Sequence, residues 1–217
     1  SLPMPDCFLA IDTSTPRGSV AVVEGSGAVR YQHSFSSERS HNSQLFAPLR
    51  EALDACGNGL RAIVVGTGPA SYTGVRIGIA AAQGIAMSRG VSLIGLPSVL
   101  APEVGGEAGK SFVVCGDARR GSFFVAEVGN DTLVNGVVLM DAEQFSERHA
   151  KPASDTPWYT FDVKPPLALE GVVGVSPSAV RLAQIAASLP EDEMARLASL
   201  PLEPVYLAAA YVTQPKR

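Results

Sequence analysis

One run of thirteen residues constrains this chain more than any other: Gly66-Thr67-Gly68-Pro69-Ala70-Ser71-Tyr72-Thr73-Gly74-Val75-Arg76-Ile77-Gly78. It follows Ala62–Gly66, a β-branched stretch of the kind that makes a buried central strand. It leads into a helix predicted over Val75–Ser88, whose Ile77, Ile79, Ala80, Ala81, Ile85 and Ala86 are small or apolar nearly all round. A helix apolar on every side must be covered on more than one face. A glycine loop opening onto a helix N-terminus is in principle an anion site. This loop lacks the Gly-Lys-Ser/Thr ending of a P-loop, so no lysine reaches a β- or γ-phosphate. The glycines let the loop bend tightly, and Ser71 or Thr73 is placed to cap the helix.

The flanking segments set the fold class. Phe8–Asp12, Ser19–Glu24 and Val29–Phe35 read as three strands, with turns at Thr13–Gly18 and Gly25–Gly27. His41–Cys56 carries apolar residues at helical spacing and stops at Gly57. Val91–Gly95 is a further strand. Three strands, helix, strand, helix, strand is the order of a ribonuclease-H-like α/β lobe. Glycines at 105, 106 and 109 mark a lobe boundary, giving lobes over 1–104 and 105–200 and a tail over 201–217 expected to pack back on the first lobe. The second half then restarts: Phe112–Gly116, Asp117, Arg119-Arg120-Gly121 and Ser122–Val128 echo the strand, Asp, turn, Gly-Ser, strand of the first. Such an echo is either a duplicated unit or coincidence. Thr132–Met140 and Pro177–Leu189 read as a third strand and a helix, while the proline-rich Lys151–Pro166 takes no assignment.

Composition and spacing remove several chemistries. A net charge of −4, with no block of like charge, is unlike a basic nucleic-acid clamp. Charged residues make up 18% against the roughly 25% of ordinary soluble domains, which leaves room for buried subunit contacts. Cys7, Cys56 and Cys115 show no CxxC spacing and read as reduced, packed thiols of a cytoplasmic protein. No stretch approaches the ~20 apolar residues of a membrane helix. His41 has Leu45 rather than a second histidine four residues on, so no metal pair faces one ion. No Gly-x-Ser-x-Gly elbow is present for a serine nucleophile. Asp12 ends its strand, with Thr13 and Ser14 in the turn after it and Asp117 at the matching place in the second half, so the two carboxylates are candidates to face each other across a cleft and take a nucleotide there weakly. Pro16 removes one backbone donor there, which favours the reading that Asp12 caps its own turn.

Two motifs together resemble the TsaB family, also called YeaZ: Phe8–Thr15 followed by Gly18–Val22, and the thirteen-residue glycine run. His41 and Asp117–Gly121 agree with them, and the likeness is carried by residues 8 to 128. Ala70, Tyr72 and Ala208 depart from the glycine, phenylalanine and arginine usual there. The resemblance implies an actin-like ATPase (ribonuclease-H-like) fold of two lobes, the second small and degenerate. It implies a non-catalytic subunit that pairs with a related catalytic subunit, TsaD, joined by a small ATPase, TsaE. Their complex transfers threonylcarbamoyl to N6 of the adenosine beside the anticodon of ANN-decoding tRNAs, so tRNA is met only through the complex. It implies no cofactor in the isolated chain, leaving open whether ATP or ADP lodges at the joint interface. In that family the face of the two helices meets the catalytic subunit, or a second copy when the protein is alone. The residues expected there are His41, Leu45, Leu49, Val75, Arg76, Ile79 and Gln83, with Val75, Ile79 and Gln83 on the outward half of the second helix. A self-sufficient actin-like kinase, with Gly171–Gly174 as its adenosine loop, and a peptidase acting on a partner are the alternatives.

Overall fold

The computed structural model describes residues 4–36, 41–104, 110–151 and 156–207, with the backbone alone at 41 and 42. Among the described residues, ten strands are arranged in two sheets. The first half runs β1 (Cys7–Asp12), β2 (Arg17–Glu24), β3 (Val29–Ser36), α1 (His41–Cys56), β4 (Leu60–Gly66), α2 (Tyr72–Arg89) and β5 (Ser92–Leu96). The second runs β6 (Phe112–Arg119), β7 (Ser122–Gly129), β8 (Thr132–Asp141), α3 (Ala142–Ala150), β9 (Trp158–Thr160), a 3-10 turn (Pro166–Ala168) and β10 (Val172–Gly174). Two helices close it, α4 (Ala179–Ser188) and α5 (Glu191–Ser199).

The first sheet has the order β3-β2-β1-β4-β5 and the second β8-β7-β6-β9-β10, the same order element for element. In each, an antiparallel meander is followed by two parallel strands. The echo across the two halves is therefore a repeated topology. The repeat is degenerate where the helices lie. The 16 and 18 residues of α1 and α2 correspond to the 9 of α3 and a three-residue turn.

Period-2 alternation divides the first sheet's residues between two cores. Leu9, Ile11, Val20, Val22, Ile63 and Val65 face α1 and α2. Phe8, Ala10, Ala21, Val23, Ala62 and Val64 face α4 and Met194 of α5. The chain that follows β10 thus returns to the first sheet. Ser178 caps α4 by accepting from the Arg181 amide at 3.2 Å, and the Ala179 amide donates to Ser19 Oγ at 3.0 Å. Arg181 pairs with Asp131 at 2.5 Å, which fastens α4 to the β7–β8 turn. The second sheet packs Phe145 of α3 against Phe123, ring centroids 4.9 Å apart, and against Trp158 at 6.3 Å.

Candidate functional site

At the carboxyl ends of the parallel pair β1 and β4, Asp12 is 1% exposed. Its Oδ1 accepts the Ser14 amide at 2.9 Å and the Ser14 hydroxyl at 2.6 Å; its Oδ2 accepts the Ser98 hydroxyl at 2.7 Å. Ser98 Oγ in turn accepts the Gly68 amide at 2.9 Å, and the Ser98 amide donates to the Gly68 carbonyl at 2.8 Å. The carboxylate therefore spans the β1–β2 turn and the residue that holds the glycine loop. Gly66 leaves no space for a Cβ, because the Asp12 carboxyl fills it, and Gly68 sits at φ 86°, a region side chains avoid.

The loop's far end is tied to the same turn. The Ser71 amide donates to the Ser14 carbonyl at 2.8 Å, and Ser71 caps α2 by accepting from the Gly74 amide at 3.1 Å. The Thr13 hydroxyl donates to the Gly74 carbonyl at 2.6 Å. Gly74 and Gly78 both lie against Thr13, so the helix rides directly on the turn. Asp12, Thr13 and Ser14 are all buried, and these bonds engage their polar side chains within the chain.

Asp117 stands at the matching place in the second sheet, the end of β6, and is exposed. Its Oδ1 accepts the Arg119 amide at 2.7 Å, and its own amide donates to Asp162 Oδ2 at 2.8 Å. Burial pushes the Asp162 carboxyl above its ordinary value; the Asp117 amide pulls it down, the Asp117 charge raises it again and Arg119 lowers it.

An open apolar groove lies on the other side of α2. A groove of about 870 Å³ runs between α1 and α2, walled by Leu45, Leu49 and Leu53 on one side and by Ile77, Ala80 and Gly84 on the other. Phe46 stands beside it, 66% exposed. Its rim carries Arg50 and Arg76. At its mouth the Arg76 guanidinium lies 4.8 Å above the Tyr72 ring, which meets the Tyr206 ring at 5.7 Å. Tyr206 is held there by the preceding residue, whose amide donates to the Thr67 carbonyl at 2.8 Å. The Tyr206 hydroxyl titrates above its usual value, first because it bonds Tyr72.

Of the residues expected on this face, Leu45, Leu49 and Arg76 line the groove. Val75 and Ile79 do not face outward: they are 1% and 7% exposed and pack on Leu9, Ile11 and Val65. Small and apolar residues surround α2 on most sides, so periodicity could not tell which stripe meets the sheet. The glycines decide it, because Gly74 and Gly78 must face Thr13, and Val75, Ile79 and Ala82 follow on that side. The outward stripe is Ile77, Ala80, Ala81 and Gly84; Gln83 is exposed beyond the groove. The side chain of His41 lies outside the described residues, as do residues 208–217 with Ala208. Of Gly171–Gly174, expected as an adenosine loop under the kinase reading, Val172–Gly174 instead forms the edge strand β10.

Comparison with known proteins decides the family. The family model for TsaD, described as tRNA N6-adenosine threonylcarbamoyltransferase, matches residues 35–201. The chain belongs to this family. Among curated proteins it is similar to TsaB: the chain is 35% identical over 136 residues to the tRNA threonylcarbamoyladenosine biosynthesis protein TsaB of Escherichia coli. That match covers 60% of this chain and 57% of the relative. A TsaB of Haemophilus influenzae is 33% identical over 97 residues, covering 43% of this chain and 40% of the relative. The chain thus spans about half the length of the curated relatives it matches. YeaZ from Pseudomonas aeruginosa superposes with a TM-score of 0.67 over 93% of this chain and 100% of that chain, at 24% identity, which shows the shared two-lobed α/β fold.

Within the threonylcarbamoyltransferase family, then, this chain keeps both sheets, a short-helixed second lobe and an apolar groove on the first. Sequence reasoning did not find the groove's aromatic mouth. Tyr206 is far along the chain from Tyr72, and no local pattern joins them.

Proposed function

We propose that the protein is the non-catalytic, activating subunit of the complex that transfers threonylcarbamoyl to N6 of the adenosine beside the anticodon of ANN-decoding tRNAs. It acts by docking its α1–α2 face on a TsaD-type catalytic subunit, with a TsaE-type ATPase completing the complex and tRNA bound through it. The observation that carries this reading is the open groove between α1 and α2. Leucines, a phenylalanine and a run of small residues leave an apolar strip uncovered, and such strips mark protein interaction sites. Small residues at Ala80, Ala81 and Gly84 let another helix approach closely, as in helix-in-groove recognition. The names of the curated relatives supply the reaction; the groove supplies a means of taking part in it by contact.

The test is co-purification with a TsaD-type subunit. Wild type forms a one-to-one complex, and the Ala80→Asp variant, whose charge would be buried unpaired in the joint, stays folded and does not. Failure of wild type to associate, with ATP hydrolysis by this chain alone, overturns the proposal.

A further inference from the structure

At the end of the first sheet away from Asp12, two cysteines share one buried place. Cys7 opens β1, Cys56 closes α1, and both are 0% exposed. The turn after α1 sews them together. The Cys7 amide donates to the Gly59 carbonyl at 2.7 Å, and the Gly59 amide donates to the Cys56 carbonyl at 2.9 Å. Gly59 has no room for a side chain, because the Pro5 carbonyl lies 2.5 Å from where its Cβ would stand. The Cys56 thiol donates to Cys7 Sγ, so the two sulfur atoms are in direct contact. Arg30 reaches in from β3, its Nε held by Glu24 at 2.8 Å. Its Nη1 donates to Cys7 Sγ at 3.0 Å and to the Ala55 carbonyl at 3.3 Å.

These contacts make the two sulfurs unequal. Cys7 Sγ accepts from a thiol and from a guanidinium, the surroundings that favour a thiolate, whereas Cys56 Sγ is the donor. Burial raises both thiols; Arg30 and the Cys56 bond pull Cys7 back down, while Cys56 is pushed up to about 12. The cover over the pair is thin. It includes Met4, itself 49% exposed, whose methyl lies 3.3 Å from the place of a Cβ at Gly57. Loops and turns of this kind open locally at little cost.

We propose that Cys7 and Cys56 are a reversible oxidation site, a dithiol that a hydroperoxide converts into a disulfide between β1 and α1, with Cys7 as the attacking sulfur. Hydrogen peroxide is close to water in size, so a small opening admits it where a bulky aromatic reagent stays out. The Cys7 thiolate attacks one peroxide oxygen and the O–O bond breaks. The departing hydroxide takes up the proton that Cys7 released, leaving a sulfenic acid and one water. Cys56 Sγ then attacks Cys7 Sγ, the S–O bond breaks, and the leaving hydroxide takes the Cys56 proton as a second water. The two thiols lose two electrons and the peroxide gains them. A dithiol reductant returns the pair to the reduced form by exchange. The bond closes a long loop containing β2, β3 and α1, and so holds the last turn of α1 to the sheet covalently.

The experiment exposes the folded, reduced wild-type chain to hydrogen peroxide, alkylates the remaining thiols in guanidinium and maps the peptides without reduction. One linked peptide joins Cys7 to Cys56, Cys115 is alkylated in full, and Tm rises by about 5–15 °C. Dithiothreitol reverses both changes. Cys56→Ser, shown to be folded by circular dichroism, forms no linked peptide and holds a Cys7 sulfenic acid that dimedone traps. Arg30→Gln, with the guanidinium gone from Cys7, forms the link about tenfold more slowly, the effect of one pKa unit. The wild-type map decides the site even where a variant fails to fold. Three alkylated thiols after exposure, a link between two copies of the chain, or oxidation of Cys115 as fast as of the pair overturns the proposal. An unchanged rate in folded Arg30→Gln overturns the assignment of Cys7 as the attacking sulfur.

Discussion

Replacing Asp12 by alanine tests whether the buried carboxylate is a structural tie, because a phosphate ligand contributes nothing to the stability of the empty chain. The substitution removes the acceptor of the Ser14 amide, the Ser14 hydroxyl and the Ser98 hydroxyl, all inside a region where Ser14 and Ser98 are fully buried. Each buried donor left unsatisfied costs about 1–3 kcal/mol, but a hydroxyl can rotate toward another acceptor and relieve part of it. Taking one amide at full cost and two hydroxyls at half gives a loss of about 4 kcal/mol. For a chain of this size that lowers Tm by about 8–16 °C. Asp12→Asn keeps one oxygen for Ser14 and costs about half as much. The assay is urea unfolding followed by circular dichroism, with the fluorescence of Trp158, the sole tryptophan, reporting the second sheet separately. A loss below about 1 kcal/mol for Asp12→Ala refutes the tie, since no arrangement of three orphaned buried donors is that cheap.

Two glycines of α2 should respond in opposite senses to alanine. Gly78→Ala drives a Cβ onto the Thr13 hydroxyl, which is pinned to Gly74, and lowers stability by about 1–2 kcal/mol despite better helix propensity; Gly84→Ala meets nothing and gains about 0.5–1 kcal/mol, both read from urea midpoints. Burial pushes the thiols of Cys56 and Cys115 up to about 12 and raises that of Cys7, so Ellman's reagent should label none of the three rapidly in the native chain and all three in guanidinium. Asp162 has a raised folded pKa, so its protonated form favours the fold: its contribution is present below the ordinary carboxylate value and is lost as pH rises through the elevated one. Asp162→Asn, which still accepts the Asp117 amide, should therefore unfold at a higher temperature than wild type at about pH 7 and at the same temperature near pH 3. Ile79→Asp, a charge against the first sheet's core, should abolish folding, whereas Ala80→Asp one position on should melt as wild type does, both followed by circular dichroism.

The meander, the two long helices and the central strand of the first half were legible because each is a long apolar pattern bounded by a glycine. Cys7–Asp12 and Leu60–Gly66 exceed their expected spans by a residue or two at the ends. The second half was less so, since β9 and β10 have three residues each, too few to show a period. α3 carries a signal that periodicity alone passes over: Asp141 and Gln144 form a reciprocal capping box. α5 likewise begins Pro190-Glu191-Asp192-Glu193, acidic in its first turn, with Arg196 in its last. That α4 and α5 cover the first sheet was not readable, because an amphipathic helix does not say which of two sheets receives its apolar face. The Asp12 network was half legible. Sequence placed Asp12 and Ser14 in one turn, but Ser98, which is 86 residues away, is brought in only by the parallel crossing through β4 and β5.

The repeat gives a reason for the proposed docking to use the first lobe. Both sheets have the same strand order, so both present a face at the position of α1 and α2. In the second lobe that face is covered by the single short α3, with Phe145 fully buried against Phe123 and the helix capped at its start by Asp141. Among the described residues, this helix of 9 residues has no second helix beside it to form a groove with. In the first lobe two helices, 16 and 18 residues long, stand side by side and must touch the sheet with one stripe each. Their glycines and alanines keep them thin, so the outward stripes lie close to the surface and stay open. The same small residues that seat α2 tightly on Thr13 therefore continue around the helix into Ala80, Ala81 and Gly84. A helix that needed only to cover the sheet would carry polar residues on that outer stripe, as α5 does with Glu191, Asp192 and Glu193. That α2 does not is the physical feature on which the proposed docking rests: its outer stripe is apolar where a helix that only finished the fold would be polar.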